Sequence, residues 1–258
     1  MFTKFQQRSN RLEHIDIGDY TAEEYEGCIG ELQLVNNWMG DAWTLKRTLF
    51  RHIQEEGAPE FSVLDVGAGS GELLRITARW AQQKRKRLRG VGLELNERSA
   101  LAIAEESERF SEISAVRGDA LSLPFPDGSF DYVISSLFTH HLTDRQIVEA
   151  LREMSRVAAR RIFVIDLHRH PVAYLLYTTI GKLILHTRLL REDGALSILR
   201  SFKPDELGRL AALAKLEKAS VQRHFPFRLV LSAPSAGVRR PPSLDISSGT
   251  PPAVGRAA

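Results

Sequence analysis

Two histidine pairs and a row of carboxylates carry most of the chemistry available to this 258-residue chain. His140 and His141 lie in Ser136-Leu137-Phe138-Thr139-His140-His141-Leu142-Thr143-Asp144, just after an apolar run. His168 and His170 follow a second run in Asp166-Leu167-His168-Arg169-His170-Pro171. An imidazole with a pKa near 6.5 takes a proton from a weakly acidic group near neutrality, so a general base is expected from one pair, with His140 ahead. Either pair can instead fix its loop by a hydrogen bond. Four histidines and Asp166 have the residue types for a metal, but they lack a ligand spacing and Cys28 is the sole cysteine, so no metal is expected. Asp65 precedes Gly67, Gly69 and Gly71, a turn that lets backbone approach a ligand because positive φ is free and no Cβ intervenes. Glu94 ends a later apolar run, where a carboxylate can accept both ribose hydroxyls of an adenosine. A nucleotide-like cofactor is the first expectation.

The elements that must hold these groups alternate. Val63–Val66 reads as a buried strand, and Leu73, Ile76, Thr77, Trp80 and Ala81 then recur at helical spacing. Gly90–Glu94 is a second strand. Ile113–Val116 is a third and leads into Arg117-Gly118-Asp119-Ala120. After a Pro/Gly turn at Leu123–Gly128, a fourth strand runs through Phe130–Ser136. Thr143-Asp144-Arg145-Gln146 opens a helix with a capping box, and Arg161–Asp166 is a fifth strand. Such alternation predicts parallel pairing with right-handed crossovers. The nicotinamide pattern G-x-G-x-x-G does not fit, because the third glycine arrives one residue early and Glu72 takes its slot.

In type, order and separation these four elements resemble the class I S-adenosylmethionine-dependent methyltransferases, over roughly residues 59–167 and more loosely to about 232. The resemblance implies an α/β fold: a doubly wound, mostly parallel seven-stranded sheet (Rossmann-like), completed by strands near Ala219–His224 and Phe227–Leu231, the last antiparallel. It implies S-adenosylmethionine as cofactor. Gly67, Ala68, Gly69 and Gly71 would pack against the methionine half, with Asp65 on its amino group. Glu94 would hold the ribose, Asp119 would accept from the adenine amine and Ala120 would back the ring, and Leu95 and Ser135 complete the set of expected cofactor contacts. The His140-His141-Leu142-Thr143-Asp144 stretch resembles the small-molecule methyltransferases of ubiquinone and menaquinone biosynthesis. The segment Ser135-Ser136-Leu137-Phe138 is not the Asn/Asp-Pro-Pro-Tyr/Phe used on adenine or glutamine nitrogens, and the lone Cys28 disfavours cytosine C5 methylation. The expected acceptor is an oxygen or activated carbon of a small phenolic, quinone-like or polyketide-like molecule. A phenol, with a pKa near 10, needs a base.

Around this core, residues 1–58 read as an amphipathic helical extension with apolar positions at Leu32, Leu34, Val35, Trp38, Met39, Trp43, Leu45, Leu49 and Ile53. It is expected to act as a lid, or else to be fixed to the core by Trp38 and Trp43. The catalytic domain is 59–232, with an insertion at about 168–202 expected to form one or two lid helices. Within it, Pro171–Leu190 is apolar but carries Lys182, His186 and Arg188, so it falls short of a membrane span and leaves a peripheral membrane contact as the alternative. Residues 233–258, rich in Pro, Ser, Gly and Ala, are expected to be disordered. Met1–Arg11 has no apolar core, so no secretory signal is expected, and the single cysteine fits a reducing cytoplasm. Much of the +3 net charge is local, in Lys84-Arg85-Lys86-Arg87-Leu88-Arg89. Without interleaved aromatics this run reads as a solvated helix end. Docking of RNA or protein through it defines the alternative function, a macromolecule-directed methyltransferase.

Overall fold

The computed structural model describes residues 3–21, 23–24, 27–28, 31, 40–181 and 185–235. The expectations for Leu32 to Met39 and for the tail from 236 lie outside these residues. In chain order the elements are α1 (His14–Ile17), then α2, a continuous helix built of Asp41–Leu45, a π-helical turn Lys46–Phe50 and Arg51–Glu56. Next come β1 (Glu60–Val66), α3 (Glu72–Gln83), β2 (Arg87–Glu94), α4 (Glu97–Glu106), β3 (Ile113–Arg117), β4 (Phe130–Ser136) and α5 (Asp144–Val157). The chain continues through β5 (Ala158–Leu167), α6 (Pro171–Leu176) with a π-helical turn Tyr177–Gly181, α7 (Arg188–Arg200), α8 (Pro204–Leu213), β6 (Ser220–His224) and β7 (Arg228–Pro234).

The seven strands lie in the order β3-β2-β1-β4-β5-β7-β6, all parallel except β7, which runs antiparallel to both neighbours. Side chains on β1 alternate between the faces. Leu64 and Val66 pack with Ile147, Leu151 and Leu207 from α5 and α8. Phe61 and Val63 pack with Leu45, Leu49, Phe50 and Ile53 of α2 and with Leu74 and Trp80 of α3. Phe50 stacks on Trp80 with ring centres 4.3 Å apart. The N-terminal extension is therefore fixed to the sheet by these aliphatic and aromatic residues. Trp43 is 41 % exposed and lies under the Arg47 guanidinium, so it is not the anchor the sequence suggested.

One boundary moves. Strand β7 continues through Ala233 and Pro234, past the expected start of a disordered tail, because it pairs with Arg161 and Ile162 of β5. The basic run starts at the C-cap of α3, where the Lys84 N–H donates to the Trp80 and Ala81 carbonyls, as the helix-end reading expects, and it continues through a turn into the start of β2. Lys86 donates to the Ala58 carbonyl, Arg87 pairs with Glu60 at 2.6 Å, and Arg89 donates to the Ser129 carbonyl at 2.6 Å. Three of its five cations are thus held locally at the amino ends of the strands, which gives no support to a docking comb.

Candidate active site

At the carboxyl ends of β1, β2 and β4 the chain must turn sharply, and there the functional groups collect. After Val66 the backbone takes positive φ at Gly67 (71°), Gly69 (58°) and Gly71 (81°) before α3 begins. At Gly67 a side chain is barred twice, by φ and by the Phe138 ring, which a Cβ would meet at 2.5 Å. The Gly67 and Ala68 N–H groups donate to the Leu93 carbonyl, which ties the turn to the end of β2. The Gly69 N–H donates to Glu94 Oε1 at 2.6 Å.

Asp65 lies beneath this turn, fully buried. Its Oδ1 has no hydrogen-bond partner, and burial, with Glu94 adding repulsion, pushes its pKa up to about 8. Glu94 is raised by its own burial, partly countered by the Gly69 N–H. Two neighbouring acids held above their ordinary range, one with an orphaned oxygen, call for a cationic or hydrogen-bond-donating ligand.

The turn opens on a cavity of about 620 Å³. Gly67 to Ser70 and Glu94 line one part, and Arg98, Leu101 and Ala102 of α4 line its flank. Leu137 and Phe138 follow β4, and Leu137 holds φ at +52°, uncommon for a branched side chain and pinned by its N–H bond to the Ile165 carbonyl. Another part is closed by Asp41, Tyr177, Leu189 and Arg228. Arg228 pairs with Asp41 at 2.6 Å, both buried, and its Nη1 lacks any acceptor among the described residues.

A polar cluster projects into the same cavity. The Thr139 hydroxyl, the His140 N–H (3.1 Å) and the Leu167 N–H (2.7 Å) all donate to the buried Asp166 carboxylate. His140 Nδ1 also contacts it, at 2.7 Å. Burial alone would raise Asp166, but His140 and these donors outweigh it and hold the pKa at about 2. An ionised carboxylate only accepts, so it fixes the ring proton on Nδ1 and leaves His140 Nε2 as the acceptor. That nitrogen lies 4.0 Å from Glu13 Oε1. Glu13 enters from the N-terminal segment, where Arg8 donates to the carbonyls of His140 and Leu142, and the segment's Ser9 N–H donates to the Leu199 carbonyl. Glu13 is 2 % exposed, accepts from Ser197 at 3.0 Å through Oε2, and leaves Oε1 without a hydrogen bond among the described residues. Burial pushes its pKa up to about 7 against the pull of His141 and Arg200. His141 Nδ1 meets Asp16 at 2.8 Å.

Ligand atoms of Glu13, His140 and His141 lie within 4.8 Å of one another, a grouping hidden in the sequence by the distance from residue 13 to 140. Arg200 Nε already sits 3.7 Å from Glu13 Oε1, and Arg200 also pairs with Asp16. This fixed cation beside the three donors opposes a second one, and we read the cluster as a proton network.

The expected site residues divide. Asp65, Gly67, Ala68, Gly69, Glu94, His140 and His141 line one cavity, and Gly71 shapes its turn. Ser135 is corrected: it is fully buried and its hydroxyl donates to the Val66 carbonyl, a bond inside the sheet. Leu95 is 65 % exposed and forms no part of the wall. Asp119 is exposed and accepts from the Leu121 N–H at 2.8 Å, while Ala120 is buried in the core with Leu93 and Leu123. Both lie outside the cavity wall, whose flank α4 supplies instead. His168 and His170 are also corrected. His168 donates its N–H to the Phe227 carbonyl and bridges Phe202, and His170 caps α6, so the pair faces a separate recess beside β6 and β7. Glu13, Asp41 and Arg228 were missed, since no local motif marks them.

Strand order, glycine turn and paired strand-end acids define a class I S-adenosylmethionine-dependent methyltransferase domain. Its cofactor fits the orphans: an α-amino-acid end carries an ammonium for Asp65 and a carboxylate for a cation such as Arg228. Residues 63–161 match the methyltransferase domain family, and over that span the chain is a methyltransferase domain of the class I S-adenosylmethionine-dependent kind. It is 36 % identical over 114 residues to ajmaline N-methyltransferase of Rauvolfia serpentina, covering 42 % of this chain and 36 % of that one. Over 97 residues it is 35 % identical to demethylmenaquinone methyltransferase of Bacillus licheniformis, covering 37 % and 39 %. The chain thus spans little more than a third of the length of these curated relatives. The crystal structure of magnesium protoporphyrin IX methyltransferase from Synechocystis PCC 6803 with bound SAH shares the fold, with a TM-score of 0.53 at 16 % identity over 76 % of this chain and 84 % of that one.

Proposed function

We propose that this protein transfers a methyl group from S-adenosylmethionine to oxygen or an activated carbon of a small phenolic, quinone-like or polyketide-like acceptor. The observation that carries the reading is the shared cavity: the glycine turn with Asp65 and Glu94, and the Glu13–His140–His141 cluster, face one space whose other walls are largely apolar. Relatives named for demethylmenaquinone and ajmaline methylation support an acceptor of that size.

When bound, the cofactor supplies an electrophilic methyl on a sulfonium. Asp65 holds its ammonium, Glu94 its ribose hydroxyls, and Asp119 is retained for the adenine amine. The protein's task is alignment and exclusion of water, because in-line displacement depends on near-attack geometry. The N-terminal segment with α6 and α7 forms the lid. His140 Nε2 takes the acceptor's proton and Asp166 stabilises the resulting imidazolium, as a carboxylate does for a catalytic histidine. Glu13 Oε1, 4.0 Å away, orients the acceptor hydroxyl toward that nitrogen. Titration calorimetry with S-adenosylmethionine, then mass spectrometry of a phenol and quinone panel, tests the reading. Absence of cofactor binding, or binding without transfer to any member, refutes it.

A further inference from the structure

Helix α6 and its π-helical turn carry an apolar stripe on the outside. Val172, Leu175, Leu176, Thr179 and Ile180 recur at one-face helical spacing, and all five are exposed, Leu175 at 57 % and Ile180 at 50 %. The inward side holds Ala173, Tyr174 and Tyr177, and Tyr177 lines the catalytic cavity. An exposed row of this kind marks a contact surface more than a folding need.

Charge says what it meets. At the first turn of α6 opens the recess, about 740 Å³, that His168 and His170 face. Lys203 and Arg223 also line it, and its one carboxylate, Asp205, is paired with Arg209 at 3.1 Å. Lys4 Nζ lies 3.6 Å from the centre of the Tyr174 ring, adding a cation to α6 itself. Phe225, on the recess wall, is 80 % exposed.

We propose that α6 with its π-helical turn and the adjoining basic recess form a docking surface for an anionic lipid bilayer. The stripe enters the acyl boundary while Lys4, Lys203 and Arg223 meet the headgroups, the pairing of apolar area and positive charge that holds interfacial helices. Among the described residues no helix is long and apolar enough to cross a membrane, so the contact is peripheral. A second copy of this chain would bring the same cations against themselves, whereas anionic headgroups neutralise them. Tyr177 places the cavity wall on the other side of the docked helix, a short route for a lipophilic acceptor. That last step rests on the function proposed above, but the docking does not.

Flotation of the full chain with vesicles of phosphatidylcholine, alone or with one-third phosphatidylglycerol, tests it. The protein floats with the anionic vesicles, stays behind with the neutral ones, and is released by high salt. Leu175→Glu/Ile180→Glu abolishes flotation. Lys203→Glu/Arg223→Glu lowers partition roughly 25-fold or more, each cation near an anionic surface being worth about fivefold. Both variants keep the wild-type melting temperature, which separates lost docking from lost fold. Four outcomes overturn the proposal: no flotation of the wild type, equal flotation on both vesicle types, flotation unchanged in either variant, or a solution dimer that Leu175→Glu/Ile180→Glu disperses.

Discussion

Cofactor binding should expel a proton from Asp65. Burial holds this carboxyl at a pKa of about 8, so at pH 7 the free protein carries it about 0.9 protonated. An ammonium docking at Oδ1 requires the carboxylate, and binding must therefore release close to one proton. Below pH 8 the apparent affinity then rises up to about tenfold per pH unit, the slope of one coupled proton. Calorimetry of S-adenosylhomocysteine in two buffers of different ionisation enthalpy counts the proton directly. Asp65→Asn keeps the shape, removes the release and weakens binding by about 1.5–3 kcal/mol, the worth of a hydrogen bond to a charged group. The free protein supplies a second readout. A folded-state pKa raised above its unfolded value means that the Asp65 contribution to stability is full below the ordinary aspartate range and is lost as pH rises from there through about 8, a slope that Asp65→Asn flattens. Less than about a third of a proton released at pH 7, or full release persisting in Asp65→Asn, refutes the reasoning.

Three further outcomes follow from the same geometry. His140→Ala lowers turnover by about 10²–10⁴ while cofactor affinity stays within a few-fold, and collapse of affinity in calorimetry would make His140 a cofactor contact instead. Gly67→Ala drives a Cβ into the Phe138 ring at positive φ, so binding of S-adenosylhomocysteine is lost; Gly67→Ala/Phe138→Ala removes the clash but not the strained φ and recovers only part of it. Asp41→Ala leaves Arg228 buried and unpaired, and denaturant unfolding should show a loss of about 3–5 kcal/mol.

The parts of the site that lie within a few residues of one another were legible in the sequence. Strand, glycine turn and helix start are contiguous, and the spacing from Asp65 to Glu94 is one crossover, so local pattern sufficed for both. The His140 loop was found for the same reason. Glu13 and Arg200 reach it only because the first and seventh helices pack together and the seventh packs on the Thr139–His141 turn, a tertiary fact with no local signal. His168 and His170 failed as candidates because position after a strand does not say which way the chain leaves. The antiparallel β7 takes the His168 N–H through Phe227 and turns the pair toward the recess. Ser135 was misjudged because strand alternation alone does not show that its hydroxyl would satisfy the Val66 carbonyl. The basic run was legible as the end of the first crossover helix, which Lys84 caps, whereas the bonds of Lys86, Arg87 and Arg89 to Ala58, Glu60 and Ser129 are tertiary and have no local signal.

A crystal structure of the full chain with S-adenosylhomocysteine tests the central claim most directly. The expected result is the amino group within hydrogen-bond reach of Asp65 Oδ1, both ribose hydroxyls on Glu94, and the sulfur facing His140 across the cavity. A ligand bound elsewhere, or a ribose that leaves Glu94 on the Gly69 N–H, would contradict it.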